Sequence, residues 1–155
     1  MKSPGLAIAA LGIATLSAAG VVYAQSANER ISFPEGFEDG VHYGTAPRGS
    51  IVQELYTSEE AIEAARKGED FPDGTVITLV DRRGGEVHRY VVMEKRTGWG
   101  DLMPEEARAG DWLFREFAPD GTPNMSEDGV RCASCHQSQA SQDFVFTVDQ
   151  MRNAD

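Results

Sequence analysis

The stretch Arg131-Cys132-Ala133-Ser134-Cys135-His136 holds both cysteines of the 155-residue chain and one of its three histidines. Few chemistries use two thiols separated by two residues and followed at once by an imidazole. Cys132 and Cys135 could form a thioredoxin-like redox pair, but no βαβ pattern surrounds them. They could hold zinc, but a structural zinc site wants four ligands, and only His42 and His88 remain as imidazoles. A disulfide between residues so close would be strained. The fourth reading is Cys-x-x-Cys-His, the attachment signature of a c-type haem. The two-residue gap sets both sulfurs against the vinyl-derived carbons along one porphyrin edge, and the adjacent imidazole turns toward the iron. The expectation is one covalent haem c on Cys132 and Cys135, with His136 as the metal ligand.

The rest of the chain is acidic and apolar enough to fold. It carries 14 Lys+Arg against 25 Asp+Glu, a net charge of −11, and 41% hydrophobic residues. This length suits one compact domain, and the composition excludes both a disordered chain and a disulfide scaffold. The charge, with no basic run to offset it, excludes nucleic acid as a partner. Residues 1–24 have the layout of a secretory signal: Lys2, an apolar stretch from Gly5 to Val22, and a small-residue exit at Ala24. The rival is an uncleaved anchor, although the stretch is Ala-rich and at the lower edge of a bilayer span. Cleavage near Ala24 leaves a domain over 25–155, periplasmic, disulfide-permissive and without a membrane segment.

Residues 25–50 are rich in Gly and Pro, with a short helical turn expected around Pro34–Asp39. Ser50–Tyr56 reads as a strand. Thr57-Ser58-Glu59-Glu60 follows as a capping box, with Thr57 as the cap and Glu60 reaching back to it. The helix runs to Lys67, stops at Gly68, and buries Ala61, Ile62 and Ala65. Gly74–Arg82 and Glu86–Arg96 form a hairpin about Gly84-Gly85, and Asp111–Ala118 adds a fourth strand. A short helix is expected at Pro104–Ala109 between them. Strands with helices between and after them give an α+β fold.

A haem signature late in a strand-rich chain is unlike the all-helical cytochromes c. Gly44-Thr45, Tyr56, Phe71-Pro72-Asp73-Gly74-Thr75-Val76, Gly110-Asp111-Trp112, the Cys132–His136 motif and Asp143-Phe144-Val145-Phe146-Thr147 occur in this order. In this ordered set the chain resembles the cytochrome P-460 family and its relatives, the β-sheet cytochromes c′. The resemblance implies a curved antiparallel sheet packed against a covalent haem, often in a homodimer, with iron that is generally five-coordinate and open on its distal side. Family members that oxidise hydroxylamine carry a lysine cross-linked to the haem, on the strand that begins Gly-Thr-Val. Leu79 occupies that place here, and Gln53 stands where those members tend to have an arginine. Lys67 and Lys95 are the lysines of the mature chain, the first on a solvated helix and the second expected to be exposed.

By period-two alternation Ile77 and Leu79 share one strand face, and Val76, Thr78 and Val80 share the other. If the first face covers the haem, the distal pocket is apolar, with Gln53 as one hydrogen-bond donor, and favours neutral diatomic ligands such as NO or CO. Two alternatives stay open. One is a redox enzyme oxidising hydroxylamine or NO, and the other an electron carrier, served by a redox partner protein, with Met93, Met103 or Met125 as sixth ligand. His88 reads as surface, and Trp112, Phe114 and Phe117 as sheet core.

Overall fold

A computed structural model describes residues 27–154, and the expected leader over 1–24 lies outside the described residues. Five strands form one antiparallel sheet in chain order: β1 (Val41–Arg48), β2 (Ile51–Thr57), β3 (Val76–Arg83), β4 (Glu86–Lys95) and β5 (Trp112–Phe117). The α-helices are α1 (Glu59–Lys67), α2 (Val130–His136) and α3 (Val148–Arg152). Short 3-10 turns occupy Phe37–Asp39 and Glu105–Ala107, where short helices are expected, and also Trp99–Leu102; a longer 3-10 segment, kinked at Gln139, occupies Gln137–Gln142. The fold is α+β.

Strand β1 is absent from the sequence reading, which treats its residues as Gly- and Pro-rich connection. Val41, Tyr43 and Thr45 favour extended backbone, and β1 is an edge strand, where Pro47 can turn its missing N–H away from the ladder. Gly44 falls where the register with β2 shifts, so a bulge hides the regular alternation. The cap of α1 is also displaced by one residue. Ser58, not Thr57, accepts from the Ala61 amide at 3.3 Å. Thr57 ends β2, and its hydroxyl donates to the Val76 carbonyl at 2.8 Å. The strand ladder therefore claims the residue that the capping pattern nominated. At the far end Gly68 takes φ 70° and closes the helix as expected. Gly84 and Gly85, at φ 60° and 88°, make the tight β3–β4 reversal that only glycine enters freely.

Alternation along the strands gives the sheet two buried faces. One carries Leu55, Ile77, Met93, Trp112 and Phe114 and is extended by Ala61, Ile62 and Ala65 of α1 and Val148 and Met151 of α3. The other carries Val92, Leu113 and Phe117 and is covered by Ile31, Met103 and Ala107. Arg152 ties α3 to α1 by donating from Nε to the Ala65 carbonyl at 3.0 Å. Chemical denaturation tests the revised cap: Ser58→Ala should lower the unfolding free energy by about 1 kcal/mol. An unchanged midpoint would show that Ser58 does not cap α1.

Candidate functional site

The helix that carries the cysteines is docked on the sheet by a glycine. Gly129 precedes α2 at φ 73°, and a Cβ there would lie 2.6 Å from the Phe114 carbonyl oxygen of β5. Asn28 reinforces the joint. Its Oδ1 accepts from the Phe114 amide at 3.0 Å, and its Nδ2 donates to the Asp128 carbonyl. Ala133 is buried beneath the helix, while Cys135 is exposed and Cys132 half-buried. After α2 the chain turns through the 3-10 segment and returns to the helix end. There the Phe144 carbonyl stands 2.6 Å from His136 Nδ1.

That contact fixes the imidazole's tautomer. A carbonyl only accepts, so Nδ1 carries the proton and Nε2 presents its lone pair, as a metal ligand requires. Phe114 and Phe146 hold the ring, with centroids 4.7 and 5.0 Å from it. Burial pushes the His136 pKa below its usual value, with the Phe144 bond opposing, which favours the neutral form.

Between α2 and the sheet lies a cavity of about 590 Å³ bounded on one side by Cys132, Cys135 and His136. Its sheet wall is built of three cross-strand rows. Ile77, Met93 and Phe114 form the first, and Leu55, Leu79 and Val91 the second; all six are apolar. The third row is polar, Gln53, Asp81 and Arg89; Gln53 and Arg89 line the cavity, and Asp81 lies buried between them. Asp81 is 1% exposed, its Oδ2 accepts from Arg89 Nε at 3.1 Å, and its Oδ1 has no hydrogen-bond partner. Arg89 also donates to Glu116 at 2.5 Å. Arg48 and Arg131 join Arg89 among the lining residues.

This wall suits a flat apolar macrocycle with carboxylates at one edge. The apolar rows offer a hydrophobic face, the guanidinium groups offer cations, and the volume falls within the roughly 300–1,000 Å³ of ligand pockets. The donor set agrees. Cys132 and Cys135 are both free thiols on the wall that carries a metal-ready imidazole. Burial raises the Cys132 pKa, with Arg131 opposing, whereas a redox-active thiol wants it lowered. Among the described residues no group of three or more His, Cys, Asp or Glu could hold a metal ion.

Leu79 lines the cavity together with Ile77, its partner on the same face of β3, and Gln53, singled out by the resemblance, lines it as well. Of the methionines, Met93 lines it, Met103 is buried with the cluster on the opposite sheet face, and Met125 is exposed. His42 stacks on Tyr56, His88 is exposed, and neither lines the cavity. Trp112, Phe114 and Phe117 are core, and Phe114 also reaches the site. One expectation fails. Lys95 is not exposed; its side chain keeps 15% of its accessible area, with Nζ 2.6 Å from Asp143 Oδ2 and 2.9 Å from the Phe71 carbonyl. Neither Lys95 nor Lys67 lines the cavity. Sequence reading passes over Asp81 and Arg89, although both keep the period of their apolar neighbours. A charged residue in phase with Leu79 or Val91 is the signal that marks them.

The sequence model of the family described as Cytochrome P460 matches residues 34–147, a span from the turn before β1 to the cavity residue Thr147. No curated protein sequence matches the chain.

The docking joint is open to test. Gly129→Ala imposes a Cβ where both φ and the Phe114 carbonyl refuse it, and should destabilise the protein by more than about 1 kcal/mol in chemical denaturation. A neutral effect would mean that α2 does not meet β5 through this glycine.

Proposed function

The chain belongs to the Cytochrome P460 family, whose cofactor is haem, and on that premise we propose that it is a mono-haem c-type cytochrome of the periplasm that binds small diatomic ligands. Cys132 and Cys135 hold the haem by thioether bonds, and His136 Nε2 ligates its iron. When bound, the haem supplies an iron with one open coordination position, able to take NO or CO. Leu79, beside Leu55 and Val91, covers the ligand with apolar surface, which excludes water and anions and favours a neutral diatomic. Gln53 supplies a hydrogen-bond donor to the ligand. Arg48 and Arg131 of the lining balance the haem's carboxylates, since Arg89 is engaged by Asp81 and Glu116.

The observation that carries this reading is the composition of the cavity wall. Leu79 stands in the middle of an apolar row, and neither described lysine lines the cavity, so nothing there can form the cross-link of the hydroxylamine-oxidising members. One observation favours a second reading. Met93 presents a thioether to the same cavity, and its ligation would make the protein an electron carrier with a redox partner. In either case residues 1–24 act as an export signal, no membrane segment remains, and the mature domain pairs as a homodimer.

The absorption spectrum of the ferrous protein separates these readings. A five-coordinate high-spin band that moves on addition of CO supports ligand binding. A sharp low-spin α band would establish the Met-ligated carrier instead, and a strongly red-shifted Soret band the cross-linked enzyme. Leu79→Lys sets an ammonium in the apolar row and should weaken CO binding by about tenfold or more, or ~1.4 kcal/mol. Unchanged CO affinity would remove Leu79 from the ligand's side of the haem.

A further inference from the structure

Asp143 and Phe144 are the only described residues other than glycine with positive φ, at 49° and 63°. Side chains with a Cβ enter this left-handed region at a cost, and two in succession persist only where the surroundings over-determine them. Here three elements converge on the Asp143 carboxylate. Its Oδ2 accepts from Lys95 Nζ at the end of β4, at 2.6 Å, and from the Phe71 amide in the loop before β3, at 2.9 Å. Its Oδ1 faces Trp112 Nε1 of β5 at 3.4 Å. Lys95 is itself fixed by the Phe71 carbonyl at 2.9 Å and lies 6.0 Å from the centre of a Trp112 ring.

Phe144 is held on its other sides too. Its amide donates to the Gln139 carbonyl at 2.8 Å. Its ring packs so closely on Gly110 that a Cβ there would lie 2.7 Å from Phe144 Cε2. The one main-chain group of Phe144 left to do chemistry is its carbonyl, and it points at His136 Nδ1.

We propose that the Lys95–Asp143 pair is a positioning device for the axial imidazole: it holds the Asp143-Phe144 backbone in its left-handed turn, and the turn holds the Phe144 carbonyl on His136 Nδ1. The inference rests on His136 being the iron's axial ligand. An imidazole that donates from Nδ1 is a more basic ligand at Nε2, so the carbonyl's position sets how firmly the ring binds iron. A metal-ligating histidine often meets a carboxylate directly. Here the carboxylate acts one peptide unit away, through backbone geometry. The charge therefore stays off the imidazole while the hydrogen bond stays short.

The test uses the purified holoprotein and resonance Raman spectroscopy of the ferrous form. Asp143→Asn keeps the shape and removes the charge; Lys95→Gln removes the ammonium and keeps the carboxylate. Both should retain haem but shift the Fe–His stretching band to lower frequency and raise the midpoint potential. Lys95→Arg, which restores a cation, should move the band back toward the wild-type position. Lys67→Gln, on the solvated face of α1, should leave it in place. If either Asp143→Asn or Lys95→Gln fails to accumulate, the other carries the same comparison. A band and potential unmoved in haem-loaded variants would overturn the positioning role and leave His136 as ligand intact. A wild-type ferrous protein without an Fe–His band would instead overturn the five-coordinate reading beneath it.

Discussion

The approach of Gly129 to the Phe114 carbonyl converts one face of the sheet into the wall of a cavity. Without it, Leu55, Leu79 and Val91 would form an exposed apolar stripe, and the Cys132–His136 segment would be a short helix of no consequence. A helix of seven residues is too short to be stable alone and takes its order from what it docks on. Ala133 buries the underside, Asn28 binds both partners, and the cysteines and histidine are left on the cavity side. The sheet wall and the helix thus define the site together.

The wall is asymmetric across the strands, and that asymmetry follows from sequence in a simple way. On β3, Ile77, Leu79 and Asp81 share a face, and on β4 Met93, Val91 and Arg89 do the same, so polarity rises along both strands toward one end. Pairing brings the two charged residues together, and Arg89 is then held between Asp81 and Glu116. An arginine fixed by two carboxylates keeps its place at the cavity edge but spends much of its hydrogen-bonding capacity within the protein. Asp81 Oδ1, buried and unpartnered, remains a cost that the fold carries at this end of the cavity.

Much of this is legible in the sequence because it depends on local pattern. The β3–β4 hairpin shows in Gly84-Gly85 between β-branched runs, the end of α1 in Gly68, and the importance of Cys132, Cys135 and His136 in the cysteine spacing. Leu79 can be set on one face with Ile77 because period two is rigid once a strand is known, whereas Gln53 is found through the resemblance alone. What escapes is decided by tertiary contact. β1 is hidden by its bulge and by Pro47, whose presence argues against a central strand but not against an edge. Ser58 takes the cap because Thr57 bonds across to β3. Lys95 looks exposed as a strand-end lysine, yet Asp143, 48 positions away, draws it in. No local signal carries that pairing, nor the position of the Phe144 carbonyl.

The central claim is that this cavity holds a haem joined to the chain through Cys132 and Cys135. Intact-mass spectrometry of the protein, purified from a host with working cytochrome maturation machinery, tests it most directly. A coloured protein heavier than its polypeptide by one haem, the increment surviving denaturation, is the predicted result. A colourless protein at the bare polypeptide mass, or a haem lost on unfolding, would contradict it.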